Sequence, residues 1–188
     1  MLRRECFQKV TYNTNLVYAE DYDFLIRLAE LFNFGYEPGT FYICRRHAEN
    51  LTNAHDKQVA SERAIIQALG VEKIEKIVFA SVYSKDEQVL MCAKIMHKIG
   101  YYEKAKQFLL SISESTMNPY VFFYLGNISF QNCQYEVAIH YYEESLRFDQ
   151  ELAEVYNNLG CSSLALTKKN LAKECFAHAL KLRSNYQD

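Results

Sequence analysis

Three groups of side chains in this sequence have the types and spacing that chemistry uses. Glu20-Asp21-Tyr22-Asp23 places carboxylates side by side at the head of an apolar-periodic run. A carboxylate there can accept a proton in acid–base work, or it can satisfy the free N–H groups and positive dipole end of a helix. Arg45-Arg46-His47 gathers basic groups that could bind an anion or simply form a solvated strand edge. Asn127, Asn157 and Asn158 carry amides able to donate to a carbonyl and accept from an N–H; equally, they could be ordinary solvent-facing residues.

Several elements must hold these groups. Phe24, Leu25, Leu28, Leu31 and Phe32 recur at helical spacing, so Tyr22–Phe32 is expected to form an amphipathic helix of about three turns that Asn33-Phe34-Gly35 stops. Asp23 and Arg27, four apart, make a helix-surface ion pair. Phe34–Gly39 and Thr40–Arg45 read as two short extended segments around a Pro38-Gly39 turn. Helical periodicity returns over 56–69 and 71–83.

Composition favours helix throughout. Only 6 Gly and 2 Pro punctuate 188 residues, too few for the turns of an all-β protein. A net charge of −2 and no Lys/Arg stripe exclude a nucleic-acid footprint. No stretch reaches the roughly 18–20 apolar residues of a membrane span, and Met1-Leu-Arg-Arg has no signal-peptide character. A cytoplasmic location is expected. The 6 cysteines show neither a C-x-x-C pair nor zinc-site spacing, and read as small buried hydrophobes.

The C-terminal half repeats itself. Phe122-x-x-Leu125-Gly126 returns as Tyr156-x-x-Leu159-Gly160, and Ala138-x-x-x-Tyr142 as Ala172-x-x-x-Phe176, every position at one and the same offset. That offset and the pattern resemble the tetratricopeptide repeat, a helix-turn-helix unit with a period of about 34 residues that stacks into a solenoid. Gly126 and Gly160 then mark close helix approach, with Ala138 and Ala172 as the facing small residues. Ser129 and Ser163 stand where the family has Tyr, and Gln150 and Ser184 where it has Pro. A weaker copy begins with a helix at about 86–98 and continues in Gly100-Tyr101-Tyr102-Glu103-Lys104-Ala105, one residue out of period. Tyr101, Tyr102, Tyr141 and Tyr142 read as core and rim packing. Asn127, Asn157 and Asn158 resemble the asparagines with which some such proteins hold an extended peptide, so a protein or peptide partner in the groove, or a homodimer, is implied.

The N-terminal quarter carries a second resemblance. Leu2-Arg3-Arg4-Glu5-Cys6-Phe7, Ala19-Glu20-Asp21-Tyr22-Asp23-Phe24, Phe34-Gly35-Tyr36-x-Pro38 and Arg45-Arg46-His47-x-x-Asn50-Leu51-Thr52 follow in order. Over about residues 2–53 this is similar to the acceptor-side end of family-2, GT-A type inverting glycosyltransferases. The resemblance implies Asp21 as the base that deprotonates the acceptor, with Glu20 supporting it. Arg45, Arg46 and His47 would lie near the diphosphate of a nucleotide-sugar or its divalent cation (Mn or Mg), His47 as a candidate metal ligand. The family's upstream nucleotide-binding half is not in this sequence, so the isolated chain is expected not to turn over.

The resulting expectation is a mainly α chain. It comprises an N-terminal α+β fragment of a glycosyltransferase domain (1–55), bridging helices (56–85) and an α-helical solenoid (86–188), with repeats at 86–118, 119–152 and 153–186. Two functions compete: a transferase fragment with partner-recruiting repeats, and a non-enzymatic interaction module with a vestigial transferase segment.

Overall fold

The structure, a computed structural model, describes residues 4–32, 55–116 and 118–184. The described residues are mainly α-helical and contain no strand. The extended segments expected over 34–45 lie outside them, so what is described of the expected α+β fragment is helix alone. The contacts divide the chain into two compact units, 1–71 and 72–188, and the division falls inside the stretch read as a bridge.

In the first unit, α1 (Arg4–Lys9) and α2 (Glu20–Ala29) bury a small core of Cys6, Val10, Phe24 and Leu28, with Phe32 against it. Phe7 and Tyr12 stack on Phe24, with ring centroids 5.6 and 4.4 Å away. The apolar positions four apart on α2 are those that turn inward, as amphipathic periodicity requires. α3 (His55–Leu69) follows, and Gly70, at φ 76, turns the chain.

The second unit contains α4 (Val71–Phe79, but for its first residue), α5 (Lys85–Lys98), α6 (Tyr102–Leu110), α7 (Pro119–Gln131), α8 (Tyr135–Phe148), α9 (Ala153–Ala165) and α10 (Lys169–Ser184). α4 stops at Phe79 rather than running to 83, and its end tightens into a turn in which the N–H and hydroxyl of Ser81 both donate to the Val78 carbonyl, at 3.1 and 2.6 Å. Ser84 then opens α5 in a capping box: its hydroxyl accepts from the Glu87 N–H and the Glu87 carboxylate accepts from the Ser84 N–H. Asn118 caps α7 ahead of Pro119, accepting from the Tyr120 N–H at 3.0 Å.

From α5 onward the helices pack as hairpins, α5 on α6, α7 on α8 and α9 on α10, while α9 also packs on α8. Each hairpin turns through one residue in the left-handed region: Gly100 at φ 86, Cys133 at 57 and Thr167 at 60. Between the last two hairpins lies a core of Ala138, Ile139, Tyr142, Leu152, Val155, Leu159 and Cys175. Completely buried aliphatic side chains of this kind each contribute about 1.5–3 kcal/mol.

At the close helix approaches that the glycines mark, an aromatic ring rather than the alanine lies nearest. The Cβ of an alanine at Gly126 would stand 2.5 Å from Tyr142 Cε1, and at Gly160 2.7 Å from Phe176 Cε1. The glycines therefore make room for the aromatic ring four residues after each alanine. Ala138 and Ala172 are themselves buried. Ser129 and Ser163, in place of the bulkier Tyr, are buried too.

Candidate functional site

α7 and α9 carry the residues that the repeat pattern singled out, and the fold brings them together. Asn127 and Asn158 sit on successive first helices. The amide nitrogen of Asn158 donates to Asn127 Oδ1 at 2.8 Å, and the Tyr142 hydroxyl from α8 donates to the same oxygen at 2.8 Å. Asn157, more exposed, donates its amide to Asn158 Oδ1 at 3.2 Å. Asn127 thus accepts twice through its carbonyl oxygen, while its own NH2 donates to no described residue. The acceptor side of the Asn127 amide is thus taken up within the fold.

These groups line a cavity of about 270 Å³, together with His97, Phe130, Gln131 and Cys161. The lining thus combines amides, a hydroxyl, an imidazole, a thiol and aromatic rings. Tyr142 serves both core and lining, with its ring 1% exposed in the core and its hydroxyl at the cavity. Burial pushes its phenol well above the usual range, so it stays a neutral donor. His97, from α5, has its ring 5.3 Å from that of Tyr124. Also on α5, Lys94 lays its ammonium 4.6 Å from the Tyr120 ring centroid, a cation–π distance, and burial lowers its pKa.

Sequence reasoning missed His97, Gln131, Phe130 and Cys161. A signal was available for two: Gln131 lies one helical turn beyond Asn127, and Cys161 takes the place of Asn127 in the next repeat. Cys161 is partly exposed and Cys133 exposed, so the reading of all cysteines as buried hydrophobes holds for Cys6, Cys92 and Cys175. The described cysteines are all free thiols.

The other expected groups belong to the first unit or lie outside the described residues. Glu20 and Asp21 occupy the first turn of α2, and the exposed Asp21 carboxylate accepts from the Tyr22 N–H at 2.8 Å. Asp23 pairs with Arg27 at 2.7 Å, and Arg27 also donates to the Thr11 carbonyl. Arg45, Arg46 and His47 lie outside the described residues. Among those described, no cluster of three or more His, Cys, Asp or Glu could hold a metal ion, and no helix is long and apolar enough to cross a membrane.

A stack of two-helix units in which the same glycine-aromatic contact recurs from one unit to the next is a helical-repeat solenoid. Family models described as tetratricopeptide repeat match residues 119–152 and 153–186. The fold is similar to the crystal structure of MamA, at 15% identity and a TM-score of 0.51, over 69% of this chain and 79% of that one. It is similar also to MamA 41-end from Desulfovibrio magneticus RS-1, at 16% identity and 0.54, over 70% and 77%. At this identity the likeness shows the fold alone. No curated protein matches the chain.

Proposed function

We propose that this chain is a non-enzymatic interaction module whose repeats hold an extended peptide segment of a partner protein. The reading is carried by the Asn127–Asn158–Tyr142 hydrogen-bonded array at the edge of the 270 Å³ cavity. Asn127 presents unspent amide donors there, suited to a backbone carbonyl, and the wall of Phe130, Tyr142 and Cys161 suits an apolar side chain.

Selection from a library of unstructured peptides against the whole chain tests this. Bound peptides should lose about tenfold or more in affinity when Asn127→Ala and Asn158→Ala are combined, as follows from losing one or two hydrogen bonds of about 1 kcal/mol each. Peptides that bind equally well to the double variant would remove the groove assignment.

The second reading is the transferase fragment, favoured by the ordered motifs over 2–53. In it Asp21 is the base, Glu20 its support, and Arg45, Arg46 and His47 hold a nucleotide-sugar diphosphate with Mn or Mg in a longer enzyme. Calorimetric titration of nucleoside diphosphates and nucleotide-sugars with either cation separates the two. Micromolar binding favours the transferase, and its absence favours the interaction module.

A further inference from the structure

The outer face of α10 reproduces, one repeat later, a face of α8 that is covered. On α8, Ile139 and Tyr142 are buried and Leu146 half-buried in one core with Val155 and Leu159 of α9 and its N-cap Leu152, while Tyr135 is half-buried against Phe130. The equivalents of Ile139, Tyr142, Leu146 and Tyr135 on α10 are Lys173, Phe176, Leu180 and Lys169. With Leu164 and Ala172 they line a shallow trough of about 530 Å³. Leu180 is 70% exposed and Leu164 52%. The trough is the established α8–α9 interface continued by one repeat, with no described helix in the place that α9 takes on α8.

The chemistry of the trough differs from that of its covered equivalent in one respect. Where α8 offers Tyr135 and Ile139, α10 offers Lys169 and Lys173, one helical turn apart and both exposed. Two like charges on the face oppose its pairing with the same face of a second copy and favour an occupant bearing carboxylates.

We infer that this trough docks an amphipathic helix of a partner protein, with apolar residues at the spacing of Leu152, Val155 and Leu159 and an acidic flank. The site is distinct from the asparagine-lined cavity and does not depend on it.

A labelled, end-capped peptide of residues 150–166 is a direct probe of the apolar contact, because α9 already fills the equivalent place on α8. Fluorescence anisotropy with the whole chain under reducing conditions should show saturable binding. Leu180→Glu, or independently Leu164→Glu, should weaken it at least about tenfold. Glutamates added at the C-terminal end of the peptide, which meets Lys169 and Lys173 in this antiparallel seat, should tighten it about threefold or more, and Lys169→Glu with Lys173→Glu, or raised salt, should remove that gain; no gain overturns the acidic flank. Asn127→Ala with Asn158→Ala should leave it unchanged. The exposure of Leu180 and Leu164 in the chain allows their replacement without loss of fold, which unchanged thermal melts would verify. No saturation up to about 1 mM peptide, or binding sensitive to the asparagines and not to Leu180, overturns the inference. So does sedimentation showing that the free chain dimerises through Leu180, since the occupant would then be a second copy.

Discussion

Gly126 and Gly160 make the same contact with different freedom. At Gly126 the facing ring belongs to Tyr142, 1% exposed and tethered through its hydroxyl to Asn127. At Gly160 it belongs to Phe176, half-buried beside an open trough. Gly126→Ala gains about 1 kcal/mol of helix propensity against about 1–3 kcal/mol of overpacking with a ring that cannot withdraw. Gly160→Ala faces a ring able to swing outward. Thermal melts should therefore show Gly126→Ala clearly destabilised and Gly160→Ala near the parent. Equal losses in both would mean that Phe176 is as confined as Tyr142. The glycines were legible from the repeat period; which ring each admits, and how freely it moves, was not.

Two of the three hairpin turns carry backbone strain. Gly100 takes a left-handed φ without penalty, whereas Cys133 and Thr167 take it with side chains. The left-handed conformation costs a residue with a Cβ roughly 1–2 kcal/mol, most for a β-branched residue such as Thr. Glycine there gives back about 0.4–1 kcal/mol through the greater entropy of the unfolded chain. Thr167→Gly should accordingly raise stability by about 0.5–1 kcal/mol, and denaturant unfolding should register it as a higher midpoint at unchanged slope. A lower midpoint would place the value of Thr167 in contacts rather than conformation. At this scale the helices were largely readable, since their apolar positions recur every three to four residues. The end of α4 was not, because the tight turn at Ser81 is a local hydrogen-bonding choice that apolar spacing does not specify.

The units 1–71 and 72–188 each form a compact set of contacts, and the repeat core of the second is built entirely from its own helices. A chain of residues 72–188 alone should keep its helical circular dichroism and a single cooperative melt, as repeat arrays with nearest-neighbour packing do. Loss of the melt on removing 1–71 would show that the repeats depend on the first unit. The same division separates the two functional readings. Retained peptide binding by 72–188 fits the interaction module, whereas nucleotide-sugar binding would need the first unit.

The sequence alone determined the helical class, the register of the last two repeats and the polar positions along their first helices. All of these are periodic, and periodicity is set by helix geometry and by the need of each unit to bury one face against its neighbour. Tertiary structure alone decided that Asn127, Asn158 and Tyr142 share hydrogen bonds, that His97 and Cys161 join them around one cavity, and that Leu164 and Leu180 are left exposed while their equivalents on α7 and α8 are half-buried. Those outcomes depend on contacts between residues far apart in the chain, from Asn127 and Tyr142 to His97 and Cys161, which local pattern does not encode and only the stacking of hairpins creates.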